Sequence, residues 1–228
     1  MGTQDNRPGN IELYFDNIEA RLALLDTTVA HGLVEEAFIL TCCYLGGLAR
    51  ERFASSDNRD DMRLFTQLLR QYGSHPEVFE KISRVEITHR SIKTPFAPKA
   101  LQQHNTVATA ILARFGNETG VKNDPTEAEL LQILSGIPRL DAENLRANLW
   151  RYTYGAVLYR RWRNTGTHVE VHTGAETSQE VYPSQANGPS VYYDLHERLA
   201  FSPTFLMNTL KFTFRTLRTE CMEHMAPT

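Results

Sequence analysis

Apolar residues along the first third of the chain fall at helical intervals. From Ile11 to about His31 the positions Leu13, Ile18, Leu22, Leu25 and Val29 mark one stripe, and Gly32 stops it. The stretch "LVEEAFILTCCYLGGLARERF" (33–53) predicts a second helix, apolar through its middle. Its Gly46-Gly47 pair would let another backbone come close, as helix contacts require. A third helix is expected in "DNRDDMRLFTQLLRQYG", with Asp57 or Asn58 as cap, Gly73 at the end, and Met62, Phe65, Leu68, Leu69 and Tyr72 on one side.

The middle of the chain is less regular. "SHPEVFEKISRVEITHRSIKTPFAPKA" contains three prolines and short mixed runs, which predict a brief helix followed by an irregular connection over about 82–98. Helical spacing returns at 99–115 and at 125–135, where Asp124-Pro125 marks a start with Pro125 in the first helical position. A long helix is then expected from about Asp141 to Trp162. On it Leu149, Tyr152, Ala156, Tyr159 and Arg163 would share one face, and Trp150, Tyr154, Val157 and Leu158 enrich the other. A helix apolar nearly all round is covered by neighbours or by a partner subunit.

Beyond it the period changes to alternation in "THVEVHT" and "SVYYDLHE", with turn chemistry in "PSQANGPS" between them. These predict a small β element before the last helix. That helix, "FSPTFLMNTLKFTFRTLRTECME", has Ser202 as cap, Pro203 at its first position, and a stripe of Phe205, Leu206, Leu210, Phe214 and Leu217.

Composition narrows the class. The 228 residues suit a single domain over 1–228, with a β/loop insertion at about 168–195. An apolar share of 41% and a charged share of 22% support a globular core. No run is long and apolar enough for a membrane span, and the start lacks a secretory pattern, so a cytoplasmic location is the default expectation. Cys42, Cys43 and Cys221 form no CxxC pair and read as buried free thiols. A net charge of −3 argues against a broad surface coated by nucleic acid and leaves room for a local cationic site. Arg160, Arg161 and Arg163 are the candidates for one. The plainer reading of Arg160 and Arg161 is a solvated helix end favoured by the helix dipole.

After Arg163 the chain runs Asn164, Thr165, Gly166, Thr167, His168. This resembles the RNxxxH form of the Rx4-6H motif of the HEPN superfamily (higher eukaryotes and prokaryotes nucleotide-binding domains). The preceding "AVLYRRWRN", the early "DDMRLFTQLLRQY" and the late "LAFSPTFLMNTL" also look like helical segments of HEPN proteins. The resemblance implies a mainly α, HEPN-like bundle that pairs as a homodimer, so that two motifs form one metal-independent ribonuclease site with no cofactor. In that reading Arg163 binds phosphate, His168 serves as acid or base, and Asn164 orients the histidine or the phosphate. RNA is the implied substrate, in a toxin or defence setting. HEPN proteins also include members without catalysis, which bind RNA, a nucleotide or a partner such as a nucleotidyltransferase-type antitoxin.

One departure leaves an alternative open. HEPN proteins often place apolar residues before the histidine and a glycine soon after, and "VHTG" around His172 fits that better than "GTHV" around His168. His172 and Arg160 are therefore the accessory or alternative site residues. His168 and His172 could instead form an HxxxH metal pair, but "HVEVH" alternates like a strand and no third ligand is evident. Glu35 and Glu36 could face a histidine, although a solvated helix face explains them as well. No phosphate-binding glycine loop and no serine-hydrolase elbow occurs.

Overall fold

The computed structural model describes residues 8–55, 60–88, 103–116, 120–138, 140–164, 191–193 and 199–223, most of them helical. Three helices open the chain: α1 (Pro8–Ala30), α2 (Val34–Phe53) and α3 (Asp61–Tyr72). Gly32 takes φ +80° in the turn after α1, a conformation that side chains resist. The cap of α3 is Asp60, whose carboxylate accepts from the backbone N–H groups of Met62 and Arg63. Asp57 and Asn58, the caps expected from the sequence, lie outside the described residues.

Two short helices, α4 (Pro76–Phe79) and α5 (Arg84–Thr88), follow. Then come α6 (His104–Phe115), α7 (Glu127–Ser135), α8 (Ala142–Asn148) and α9 (Tyr154–Asn164). A two-stranded antiparallel ribbon, β1 (Val191–Tyr193) with β2 (Leu199–Phe201), precedes the closing helix α10 (Pro203–Glu223). The register pairs Val191 with Phe201 and Tyr193 with Leu199. The strand expected at "THVEVHT" lies outside the described residues, and the observed partner of "VYY" is "LAF". Ser202 caps α10 as expected by accepting from the Phe205 N–H, and the whole stripe Phe205, Leu206, Leu210, Phe214 and Leu217 is buried.

Two corrections concern helix starts and continuity. α7 begins after Thr126, not at Pro125. Thr126 and Glu129 form a reciprocal capping box, while the Pro125 carbonyl accepts from the Ile82 N–H at 2.8 Å. The predicted long helix from Asp141 to Trp162 is two helices, parted by a 3-10 turn (Leu149–Tyr152) and by Thr153 in extended conformation. The cause is the chain at 81–83. Ser83 donates to the Tyr152 carbonyl and Tyr154 donates to the Lys81 carbonyl, both at 2.9 Å, in place of continuous helical bonding. The expected single face therefore divides. Leu149 and Tyr152 belong to one core, and Tyr159 to another.

The larger core joins α1, α2, α3, α4, α9, the ribbon and α10. Gly155 of α9 lies against Thr66 of α3, where an added Cβ would meet the threonine methyl at 3.3 Å, so the small residue sets the approach. The Phe65 and Tyr159 rings pack beside this contact at 5.4 Å. The smaller core holds Ile82, Ile87, Val107, Ile111, Leu130, Leu134, Leu145, Leu149 and Tyr152. Its residues occupy one stretch of chain, from the exit at Ile82 to the return at Thr153, and those two positions form a bridge.

Candidate functional site

The bridge is fixed by a buried polar group that pattern reading did not find. Asp124 accepts from Arg84 Nε at 2.9 Å and from the Tyr154 hydroxyl at 2.7 Å. Arg84 also donates to the Phe115 carbonyl at 3.2 Å and lies over the Phe115 ring. Lys81 Nζ donates to the carbonyls of Val121 and Asp124. A buried carboxylate and guanidinium survive desolvation only when paired and hydrogen-bonded in this way. The group belongs to the frame, and α9 starts from it at Tyr154.

Nine residues of α9 lead from Tyr154 to Arg163. Arg160 and Arg161 are not a solvated helix end, contrary to the expectation from their position. Their side chains are 16% and 26% exposed, and both meet Glu86 of α5, itself 11% exposed. Arg161 Nη2 donates to Glu86 Oε1 at 3.0 Å, and Arg160 Nη2 stands 3.7 Å from Oε2. Arg160 donates from Nη1 to the Arg151 carbonyl, and Arg161 from Nη1 to the Leu199 carbonyl of β2. One acid from the smaller core thus ties the arginine pair, and the pair ties α9 to the ribbon. Desolvation favours keeping such charges paired.

Tyr152 sits in the same cluster, with the Arg160 guanidinium 6.0 Å from its ring centroid. Its hydroxyl and Arg151 Nε are buried without a hydrogen-bond partner. Burial pushes the Tyr152 phenol above its ordinary pKa, and Glu86 adds to the rise, while Arg160 and Arg151 oppose it.

Arg163 and Asn164 are the last two residues of α9, at the helix C-terminus where cations are favoured. His168 and His172 lie outside the described residues, so the structure brings neither to Arg163. Glu35 and Glu36 occupy the first turn of α2 and are exposed, in line with a solvated face. Among the described residues no group of three or more His, Cys, Asp or Glu is arranged to hold a metal, and no helix is long and apolar enough to cross a membrane.

Sequence reasoning missed Glu86, Arg151 and Tyr152 as neighbours of the motif. Glu86 lies in α5, a five-residue helix within the stretch expected to be irregular and too short for a period to assign a face, and the bridge between Ile82 and Thr153 brings it under α9. Compared with known proteins, the chain matches no family model, no curated protein sequence and no solved structure.

Proposed function

We propose that this chain is a metal-independent endoribonuclease of the HEPN type, acting through Arg163, Asn164 and His168 in a composite site built by two copies. The observation that carries the reading is the end of α9: Arg163 and Asn164 close a helix whose preceding arginine pair is anchored by Glu86. An anchored helix supports a defined position for the last residues of its backbone, and the planar guanidinium of an arginine suits a phosphate oxygen pair.

The chemistry needs no other group. One histidine takes the proton of the RNA 2′-hydroxyl, and the 2′-oxygen attacks phosphorus. The 5′-oxygen leaves with a proton from the second histidine, giving a cyclic phosphate and a 5′-hydroxyl. Arg163 holds the negative charge that builds on the phosphoryl oxygens. Arg160 and Arg161 do not take part as substrate ligands in this scheme, because Glu86 and backbone carbonyls hold them.

The test is cleavage of RNA in excess chelator. Wild type should cut, and Arg163→Ala, His168→Ala should lose roughly 100-fold or more. Equal cleavage by wild type and the double variant would sink the proposal. His172→Ala, measured alongside, decides which histidine completes the motif. Salt-dependent RNA binding without cleavage, lost on Arg163→Ala, would establish the binding-only alternative.

A further inference from the structure

The exposed face of α2 carries apolar side chains, a glycine and charges of both signs. Ala37, Phe38, Thr41, Cys42, Leu45, Leu48 and Ala49 turn inward, which leaves Glu36, Ile39, Leu40, Cys43, Gly47 and Arg50 outward. Ile39 and Leu40 are each 40% exposed, Cys43 is exposed, and a Cβ on Gly47 would meet nothing within 4 Å. Among the described residues no neighbour requires glycine at 47, although glycine inside a helix is disfavoured relative to alanine.

The face has a centre, and its two halves complement each other. Ile39 lies four residues before Cys43 and Gly47 four after; Leu40 lies three before and Gly46 three after; Glu36 lies seven before and Arg50 seven after. Seven residues make two helical turns, so all these positions stay along one seam. A two-fold axis through Cys43 would run two α2 helices antiparallel. Ile39 and Leu40 of one copy would then meet the glycines of the other, and Glu36 would meet Arg50. Asp61 holds the Arg50 guanidinium in place through Nε and Nη2, and its side chain remains 62% exposed. Beside the seam, Leu24 of α1 and Leu40 line a groove of about 360 Å³, which widens the apolar surface.

We infer that α2 is a homodimerisation helix, pairing antiparallel with α2 of a second copy about Cys43. Large residues opposite glycines and acid opposite base form a self-complementary patch, the property a two-fold interface demands. The proposed ribonuclease site also needs two copies, but the seam contains none of Arg163, Asn164 or His168, so seam variants read pairing and motif variants read cleavage.

Sedimentation equilibrium with thiol oxidation tests it. The wild-type chain should dimerise reversibly, and mild oxidation should yield a covalent dimer that is lost in Cys43→Ser and retained in Cys221→Ser. Gly47→Leu should keep the helical circular dichroism of the wild type and weaken self-association by roughly tenfold or more. Glu36→Lys, which cannot disturb the packed face, should weaken it by a smaller factor. Arg163→Ala, His168→Ala should dimerise like wild type, so loss of nuclease activity and loss of pairing are read separately. A chain that stays monomeric, or a dimer that tolerates Gly47→Leu and gives no Cys43 cross-link, overturns the inference.

Discussion

The core around α2, α3, α9 and α10 closes by direct contact of long helical faces, whereas the smaller core of α6, α7 and α8 is fastened to it through polar groups. In the first, Leu64, Phe65, Leu68 and Leu69 of α3 are buried together against α9 and α10. In the second, the buried apolar residues among those described come from α5 to α8, the 3-10 turn and the bridge position Ile82. Its attachment is the bridge of Ile82 with Thr153 and the group Arg84, Asp124 and Tyr154. Between them the two cores set the position of α9. The larger core carries α9, and the smaller core supplies Glu86, which holds the arginines near its end.

Asp124→Ala is expected to disturb this most. It would leave the Arg84 guanidinium and the Tyr154 hydroxyl buried without their acceptor, a loss of about 3–5 kcal/mol, read by chemical denaturation. A loss below about 1 kcal/mol, the scale of an exposed ion pair, would show that the junction is open to water.

Paired core truncations come next. Leu68→Ala and Leu130→Ala should each cost roughly 2–5 kcal/mol, since both side chains are fully buried. Hydrogen exchange should separate them. Leu68→Ala should speed exchange throughout, while Leu130→Ala should speed it mainly in α6, α7 and α8. Uniform acceleration by Leu130→Ala would mean that the two cores unfold as one.

Tyr152→Phe has the opposite sign. Removing a buried hydroxyl that lacks a partner should stabilise the fold by about 1 kcal/mol while the ring keeps its place beside Arg160. A destabilised variant would show that the hydroxyl has a partner in solution.

The smallest expected effect lies at the start of α7. Thr126→Ala removes one half of the capping box and should cost about 1 kcal/mol. Hydrogen bonds from the Thr126 N–H and hydroxyl hold the Glu129 carboxyl below the usual carboxylate range. A lowered folded pKa stabilises above the unfolded value, about 4.3 for glutamate, and the contribution fades as pH falls through the folded value. The wild type minus Thr126→Ala difference should therefore shrink on acidification; a gap that widened would contradict the capping box.

What could be read from the chain follows the range of the interactions. α1, α2, α3 and α10 were legible because each buries one stripe, and their punctuation at Gly32, Gly73 and Ser202 acts within a turn. The break at Thr153 was not legible. Ala156 and Tyr159 continue the period of Leu149 and Tyr152, and the bonds that interrupt it come from Lys81 and Ser83, some 70 residues earlier. The pairing of "VYY" with "LAF" was not legible for a related reason: alternation marks a candidate strand and leaves its partner open.

The candidate site divides in the same way. Sequence alone determined that an arginine cluster and Asn164 end a helix, because apolar spacing and the polar break after it are properties of neighbouring residues. Only the tertiary structure decided that Arg160 and Arg161 point inward to Glu86, and that Asp124 anchors the start of the helix whose end they hold. Burying a charge depends on the partner that meets it, and partners far apart in the chain are brought together by the fold as a whole.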